Sequence, residues 1–260
     1  MPESDLDLLL GAARSAAEIA LHYWRTDQTV HQKGGGAGPV SEGDIAVDTH
    51  LRETLTAARP GYGWLSEETP DGPGRLTADT LFIVDPIDGT RAYVDGQTTW
   101  AHSLAVVRGG ATVAGVVFLP RLDKLYAAAL GRGATLNGAP IRPARRVEPD
   151  GARVLLSKPM LDPALWPGGM PALQRHFRPS LAYRMCLVAE GRFDAMVTLR
   201  PTWDWDIAAG ALICAEAGAA ATDATGAALR FNGAEARNAG TVAAPPDLHA
   251  ALVTRLRAPG

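Results

Sequence analysis

The sequence predicts a layered α/β fold, because helical and strand-like patterns alternate along its 260 residues. Apolar residues recur at helical spacing from Leu6 to Trp24, which is typical of a helix that buries one face. Residues 81–84 form a short apolar run of the kind that makes a buried strand. An apolar helix is predicted over residues 207–217, with Gly218 as its C-terminal cap. Such elements pack as layers around a shared core, so we expect an α+β layered sandwich.

A helix over residues 42–58 is predicted next, because Ser41 and Asp44 form the two halves of a capping box at its start. The stretch before it, residues 33–39, is rich in glycine and predicts a mobile loop. It lacks the Gly-Lys-Ser/Thr ending of a phosphate-binding loop. Pro39 also stands where the dinucleotide-binding pattern has its last glycine, so neither kind of nucleotide site is predicted there.

Short strands and turns account for the middle and the end of the chain. A β-hairpin is predicted from residue 102 to residue 119, with its turn at Gly109 and Gly110. The further predicted elements are strands over residues 125–130, 154–157 and 195–199, a turn at Asn137 and Gly138, and a helix over residues 180–190. We expect one folded unit over residues 1–260, made of two tightly joined halves, about 1–140 and 141–260.

Composition limits the partners and the location of the protein. The net charge of −3 and the lack of a basic block argue against a nucleic-acid polymer as the partner. No apolar stretch is long enough to span a membrane, and the acidic N-terminus does not resemble a signal peptide. Cys186 and Cys214 lie in apolar, helix-like surroundings, which favours buried free thiols over a disulfide. We therefore expect a cytoplasmic protein with no membrane contact.

The most informative motif follows the predicted strand at residues 81–84. Two carboxylates, Asp85 and Asp88, stand three residues apart, and Gly89 and Thr90 follow at once. Carboxylate oxygens at a strand end suit a hard divalent cation. The N–H groups of the next two residues could bind an anion if a helix begins there. Metal and anion together indicate phosphate chemistry, although the same residues are also ordinary turn formers.

Other acidic residues add candidates, each with an ordinary structural alternative. Glu67 and Glu68 end a short apolar run, where a solvated acidic turn is by itself the commoner explanation. Asp204 and Asp206 alternate with tryptophans at the start of the apolar helix, where carboxylates commonly stabilise the helix dipole. Asp44 is explained structurally by its capping box. No single one of these residues identifies a site, so their order along the chain matters most.

Taken in order, these motifs resemble the inositol monophosphatase superfamily of magnesium-dependent, lithium-sensitive phosphatases. The resemblance covers nearly the whole chain, and it implies a fold of alternating helix and sheet layers. It also implies two or three Mg²⁺ ions, a homodimer, and hydrolysis of a small phosphorylated metabolite by an activated water. The segments that carry it are residues 39–44, Glu67 with Glu68, residues 84–90, and residues 205–210 with 216–218 downstream.

The resemblance assigns a metal site and catalytic residues. Glu67 and the Thr90 hydroxyl are expected to orient the attacking water, and Asp44 to lie near a weaker third metal through water. Asp204 has no counterpart in the family pattern, and we expect it to support the site or to face the substrate. Crowded carboxylates repel one another without a cation, so the metal-free site should be strained or mobile. The expected metal ligands are Glu67, Asp85, the carbonyl oxygen of Ile87, Asp88 and Asp206.

Substrate contacts are expected from the turn and from arginines. The N–H groups of Gly89 and Thr90 would hold phosphate oxygens, and Lys33 falls where some members keep a loop lysine near the phosphate. Arg91 makes the motif more similar to the adenosine 3′,5′-bisphosphate nucleotidase branch. A second phosphate would explain an added positive charge, and the candidates for its clamp are Arg91, Arg184 and Arg200. Adenosine 3′,5′-bisphosphate and inositol monophosphate both stay open as substrates.

Two alternatives differ in mechanism. In a haloacid-dehalogenase-type phosphatase, the first Asp of a similar motif is a covalent nucleophile, but here two residues instead of one separate Asp85 from Asp88. A non-catalytic metal-binding regulator would use the same fold and ligands for protein contacts. An esterase is not supported, because the Gly-x-Ser-x-Gly motif is missing. Zinc is not supported either, because the six His are scattered.

Overall fold

The computed structural model describes residues 3–34 and 38–257. Within these ranges the helices are α1 (Asp5–Tyr23), α2 (Glu42–Ala58), α3 (Thr90–Val94), α4 (Leu181–Ala189), α5 (Asp204–Ala217) and α6 (Pro246–Leu256). The strands are β1 (Val30–Lys33), β2 (Gly38–Ser41), β3 (Gly63–Ser66), β4 (Thr80–Asp88), β5 (Ala101–Arg108), β6 (Ala111–Leu119), β7 (Lys124–Ala129), β8 (Ala134–Leu136), β9 (Ala139–Pro140), β10 (Arg153–Leu155), β11 (Gln174–His176), β12 (Ala195–Thr198), β13 (Thr202–Trp203), β14 (Ala220–Thr222), β15 (Arg237–Asn238) and β16 (Thr241–Ala244).

A large and a small sheet form the framework. The large sheet has the strand order β3-β4-β5-β6-β7-β8-β9, and its neighbours are antiparallel except for the parallel pair β3 and β4. The small sheet has the order β11-β10-β12-β16-β14. The chain passes from the large to the small sheet between Pro140 and Arg153, close to the expected boundary of the two halves. The division into halves itself stays a prediction.

The helices and the two sheets alternate as layers. α1 and α2 cover one face of the large sheet, where Leu9, Leu51 and Phe82 are fully buried together. α4 and α5 lie between the two sheets, and α6 covers the outer face of the small sheet. This order of helix, sheet, helix, sheet and helix confirms the expected layered α/β sandwich.

The central position of α5 explains why its sequence has no polar face. Every residue from Ile207 to Cys214 is buried, between the large sheet on one side and α4 on another. A helix in such a central layer is apolar on all sides. The packing is close, because a Cβ added to Gly115 of β6 would lie 3.1 Å from the Ala209 backbone. The helix ends at Gly218 with a left-handed φ of 96°, as predicted.

The other predicted helices and the central hairpin are also confirmed, with ends that shift by a few residues. Ser41 and Asp44 form the capping box that begins α2. The turn at Gly109 and Gly110 joins β5 to β6 in an antiparallel pair. Both cysteines are buried and free, as expected from their apolar surroundings.

The glycine-rich stretch before α2 differs from its prediction as a mobile loop. Lys33 pairs with Gly38, and β1 and β2 form a short antiparallel hairpin on either side of residues 35–37, which lie outside the described residues. These strands escape prediction because they carry no apolar alternation. The last helix, α6, and the short strands from β13 to β16 are also not predicted. None of the described helices has the length and hydropathy needed to cross a membrane.

Candidate active site

The site is built at the end of β4, where a β-bulge interrupts the strand. Asp85 pairs with Ser103 of β5 but Asp88 pairs with Ala101, so two residues of β4 face one residue of β5. In a regular strand, side chains three residues apart point to opposite faces. The bulge breaks this alternation, and carboxylate oxygens of Asp85 and Asp88 come close together.

Asp206 in the first turn of α5 completes a group of three carboxylates. One oxygen from each of Asp85, Asp88 and Asp206 lies within 4.8 Å of the other two. Asp85 Oδ1 is buried and has no hydrogen-bond partner among the described residues. A buried carboxylate oxygen without a donor is costly unless a cation binds it. This unpartnered oxygen and the all-oxygen donor set fit a hard divalent metal ion.

Burial and mutual repulsion make negative charge in this group unfavourable. Burial, and then the neighbouring carboxylates beginning with Glu67, raise the pKa of Asp85 well above its ordinary value. Burial, and then the charge of Asp88, do the same to the pKa of Asp206. Burial raises the pKa of Asp88 to about 6. A cation among these carboxylates would oppose each of these effects.

The N-terminus of α4 holds Asp88 in place. Asp88 Oδ2 accepts hydrogen bonds of 2.7 Å from the Ser180 hydroxyl and of 2.7 Å from the Ala182 N–H. These donors and the nearby Arg184 guanidinium limit the rise of the Asp88 pKa that burial causes. The helix dipole of α4 acts in the same direction. A helix of the central layer therefore fixes one carboxylate of the bulge.

Glu67 and Glu68 follow β3, the strand beside β4, and both contact Lys33. The Lys33 ammonium donates to Glu67 Oε1 at 2.8 Å and to Glu68 Oε1 at 2.7 Å. Glu67 lines the same cleft as Asp85, whereas Lys33 and Glu68 line an adjoining cavity of about 650 Å³. Burial raises the pKa of Glu68 to about 7. The structure thus brings Lys33 to the acidic pair, and Lys33 does not line the cleft that contains Gly89.

Thr90 connects Asp44 to the bulge. Its hydroxyl lies 3.0 Å from Asp44 Oδ1 and 3.2 Å from the carbonyl oxygen of Ile87. The other oxygen of Asp44 accepts a hydrogen bond of 2.9 Å from the Ser41 N–H in the capping box. Burial raises the pKa of Asp44 to about 6. Asp44 therefore has its structural role and also lies beside the candidate site.

Gly89 makes the turn from β4 into α3. Its φ of 100° is left-handed, a conformation in which a residue with a side chain would be strained. α3 begins directly after it at Thr90, which confirms the helix start that an anion site would need. Gly89, Thr90 and Arg91 all line the cleft together with the carboxylates.

The cleft combines the carboxylates with basic side chains. It has a volume of about 580 Å³, and all three arginines singled out from the sequence line it: Arg91, Arg184 and Arg200. Within residues 3–34 and 38–257, none of the three forms an ion pair with a carboxylate. Burial lowers the pKa of Arg184 to about 10, so it stays charged at neutral pH. Its guanidinium lies 4.4 Å from the ring centre of Phe177, which is exposed at the same cleft.

Asp204 does not face the substrate cleft, so that one of the two roles expected for it is wrong, whereas a supporting role stays a prediction. It is fully buried and does not line the cleft. Its carboxylate accepts a 2.8 Å hydrogen bond from the Asn232 N–H and a 3.0 Å bond from Asn238 Nδ2. Asp204 therefore anchors the chain around residues 232–238, which explains a carboxylate two residues before Asp206.

The residues that support the carboxylates are not predicted from the sequence. Ser180, which bonds to Asp88, appears in the sequence only as the start of a helix. Ser103 donates a 2.9 Å hydrogen bond to the carbonyl oxygen of Trp205 and so ties β5 to the start of α5. The cap position of Ser180 is a usable signal, but nothing in the local pattern distinguishes Ser103 from another strand residue.

Comparisons with known proteins agree with this fold and these motifs. The inositol monophosphatase family model matches residues 1–258. A histidinol-phosphatase of Mycobacterium tuberculosis is 32% identical, over 99% of this chain and 100% of that protein. An inositol-1-monophosphatase of Rhizobium meliloti is 36% identical, over 74% of each chain. The solved structure of an IMPase from Thermotoga maritima is 28% identical, with a TM-score of 0.82 and 96% of each chain covered.

The fold and the related proteins define a phosphatase that hydrolyses phosphate monoesters. The chain belongs to the inositol monophosphatase family. Membership excludes the haloacid-dehalogenase-type alternative with a covalent Asp nucleophile. The family uses divalent metal, and the triad of Asp85, Asp88 and Asp206 could bind such an ion. The relatives are named for different substrates, so membership alone does not identify the ester.

Proposed function

We propose that the protein is a Mg²⁺-dependent phosphomonoesterase whose substrate carries a second anionic group. The observation that carries the metal assignment is the carboxylate triad, with oxygens within 4.8 Å of one another and an unpartnered oxygen on Asp85. Glu67 lines the same cleft. The residues that would hold two or three ions are Glu67, Asp85, the carbonyl oxygen of Ile87, Asp88 and Asp206, with Asp44 near the third ion.

Thr90 and Asp44 would orient the attacking water. When bound, Mg²⁺ supplies positive charge that neutralises the phosphate oxygens and makes water easier to deprotonate. The Thr90 hydroxyl can donate its proton to Asp44 Oδ1, which leaves the lone pairs of the hydroxyl to accept a hydrogen bond from water. Glu67 would accept a second hydrogen bond from the same water. Together these acceptors aim a lone pair of the water at phosphorus.

The start of α3 would hold the phosphate. The first N–H groups of a helix have no partner inside it, and Gly89 is the N-cap of α3. The missing side chain of Gly89 lets a phosphate oxygen approach the N–H groups of Gly89 and Thr90. Lys33 is the other expected phosphate contact, but it would first have to leave Glu67 and Glu68.

The arginines favour a substrate with two anionic groups. Inositol monophosphate offers only hydroxyls besides its phosphate, and histidinol phosphate offers an ammonium that arginines would repel. Adenosine 3′,5′-bisphosphate offers a second phosphate, which suits the planar guanidinium donors. Its base could also stack on the exposed ring of Phe177. We therefore rank adenosine 3′,5′-bisphosphate first, because Arg91, Arg184 and Arg200 line the cleft without carboxylate partners among the described residues.

Phosphate release from three esters tests this proposal. Adenosine 3′,5′-bisphosphate, inositol 1-phosphate and histidinol phosphate would be compared with and without Mg²⁺. Asp88→Asn serves as the disabled variant, and Asp27→Asn as its control, because Asp27 is exposed and outside the cleft. We expect Mg²⁺-dependent release, about tenfold or more faster from the nucleotide, that is lost only in Asp88→Asn. A preference for inositol phosphate would make the arginines incidental, and no release at all would favour a metal-binding regulator.

The proposal also includes inhibition by Li⁺, a homodimer and a cytoplasmic location, which the family resemblance implies. Assays with Li⁺ and Na⁺ at equal ionic strength test the first property. Light scattering of the purified protein tests the second, since a monomer would contradict it. Cell fractionation tests the third.

A further inference from the structure

A buried histidine lies beside the bulge that carries the candidate metal ligands. His102 stands on β5, opposite Pro86 and Ile87, the two residues of the β4 bulge. Alternation along β5 directs Leu104 and Val106 into the core under α1 and α2, and it assigns His102 to the same face. An apolar side chain is expected there. A fully buried imidazole occupies the position instead, near the rings of Trp100 and Phe118.

One hydrogen bond explains a polar ring at this position. Nδ1 of His102 bonds to the carbonyl oxygen of Pro86, the first of the two bulge residues. A carbonyl oxygen only accepts, so Nδ1 must carry the proton. The bulge takes Pro86 out of the regular pairing between β4 and β5, and a buried carbonyl needs another partner. The imidazole supplies that partner from the opposite strand.

We propose that His102 is a positioning residue that holds the bulge in the shape required by the metal-binding carboxylates. Pro86 and Ile87 are the whole link between Asp85 and Asp88, so a fixed Pro86 carbonyl restricts how the chain turns between the two. The carbonyl of Ile87 is itself a proposed metal ligand. His102 does not line the cleft and acts only through this backbone contact. The inference rests on the proposed function, because it concerns the same metal site.

The second ring nitrogen of His102 argues against a purely structural role. Nε2 is buried and has no hydrogen-bond partner among the described residues. Burial also lowers the pKa of His102 to about 4, so the ring is neutral at neutral pH. An apolar residue of similar size would leave no buried nitrogen unpaired. The position therefore loses stability at Nε2 while it gains one directed bond at Nδ1, which is expected of a residue that orients a site.

Mg²⁺ affinity tests this role with matched variants. His102→Leu removes the donor, and His102→Asn returns an amide N–H near the position of Nδ1. His249→Leu is the control, because His249 is also buried and bonds to Thr222 at 2.9 Å between α6 and the small sheet. By calorimetry we expect the Mg²⁺ dissociation constant to rise about 10- to 100-fold in His102→Leu. We expect recovery to within about threefold in His102→Asn and no change in His249→Leu.

The outcomes separate positioning from general destabilisation. Wild-type affinity in folded His102→Leu would overturn the proposal, while the proposed function would stand. Equal weakening in His249→Leu would also overturn it, because the loss would then follow stability and not position. If His102→Leu does not fold, the decision falls to His102→Asn. A folded His102→Asn variant that does not bind Mg²⁺ with normal affinity would count against the role.

Nitrogen NMR of the imidazole tests the contact without any metal. We expect a neutral ring with its proton on Nδ1 in the wild-type protein at pH 7. A neutral ring with its proton on Nε2 would contradict the bond to Pro86 and the inference with it. If the wild-type protein binds no Mg²⁺, the proposed function fails and the positioning role fails with it, even where the NMR result supports the contact.

Discussion

The acidic and the basic residues of the cleft are supported in different ways. Asp85 lies within β4 and Asp206 in the first turn of α5, and Asp88, the last residue of β4, is bonded to the start of α4. Of the basic residues, Arg184 is buried on α4, whereas Arg91 and Arg200 are exposed and Arg200 belongs to no helix or strand. Groups on packed elements keep their geometry, whereas loops tolerate change. Under the proposed function, we therefore expect the carboxylates on packed elements to fix the hydrolytic chemistry and the exposed arginines to select the ester.

The largest loss of activity is expected from a substitution among the acidic residues of the cleft. In Asp206→Asn, we expect kcat/KM to fall on the order of 10²- to 10³-fold for every ester that the wild type hydrolyses, because a charge at the metal site is lost. Steady-state kinetics with saturating Mg²⁺ measure this. Asp223→Asn, in a turn outside the cleft, is the control. A loss confined to one substrate would break the division between chemistry and ester selection.

The same carboxylates should destabilise the metal-free protein. Asp85→Asn removes a buried charge whose oxygen has no donor among the described residues, so we expect the free energy of unfolding in chelator to rise by roughly 1–3 kcal/mol. With Mg²⁺ the order should reverse, because only the wild type gains binding energy. Urea unfolding with and without Mg²⁺ tests both signs, and a destabilised variant in chelator would contradict the expectation.

The pH dependence of the metal-free protein follows from the same charges. A carboxyl group whose pKa is raised on folding binds more protons folded than unfolded, so stability falls as pH rises. The pKa of Asp88 and that of Asp44 are each raised to about 6, mainly by burial. We therefore expect chelated protein to melt at a lower temperature at pH 8 than at pH 5.5, with most of the difference removed by Mg²⁺. A higher melting temperature at pH 8 than at pH 5.5 in chelator would contradict this expectation.

The carboxylates could be predicted from the sequence because their signals are local. Asp85 and Asp88 end an apolar strand, and Asp206 begins an apolar helix, so each motif is readable within about ten residues. Their supports are not local, since Ser180 is 92 residues from Asp88 and Ser103 is 102 residues from Trp205. A single sequence contains no signal for such pairs.

The fold shows the same limit. The long helices and the central hairpin carry clear periodicity, and the apolar runs of β10 and β12 in the small sheet are predicted as well. The other strands of that sheet, β11, β14 and β16, have three or four residues and too few positions for a pattern. Lys33 is a further example. The family resemblance implies a phosphate contact for Lys33, and this contact stays a prediction. The ion pairs of its ammonium with Glu67 and Glu68 depend on the β1–β2 hairpin, which carries no signal in the sequence.

A smaller loss of activity, confined to one substrate, is expected from a substitution among the basic residues of the cleft. In Arg200→Gln, we expect KM for adenosine 3′,5′-bisphosphate to rise about 10- to 100-fold, because a charge-assisted contact to the second phosphate is lost. The kinetics with inositol 1-phosphate should change little. Arg192→Gln, at an exposed arginine outside the cleft, is the control. Equal losses for both esters would show that Arg200 supports hydrolysis itself. That result would contradict the division between chemistry and ester selection.

Substitution of Lys33 is expected to have the smallest effect, because Lys33 is a basic residue that contacts the acidic ones. Its ammonium neutralises Glu67 and Glu68 in the metal-free protein, so an incoming metal ion must compete with it. In Lys33→Gln we expect Mg²⁺ to bind about two- to fivefold more tightly, a change typical of a partly exposed ion pair. Calorimetry measures this, with Lys158→Gln as an exposed control. Weaker Mg²⁺ binding would show that Lys33 supports the metal site.

Calorimetric titration of Mg²⁺ into chelator-treated protein tests the central claim most directly, with wild type, Asp88→Asn and Asp27→Asn compared at one pH. The claim is that the carboxylates gathered by the β4 bulge and by α5 form the metal site. We expect saturable binding in the wild type and in Asp27→Asn, and none in Asp88→Asn. Equal binding in all three proteins would contradict the assignment, because the metal would then lie elsewhere.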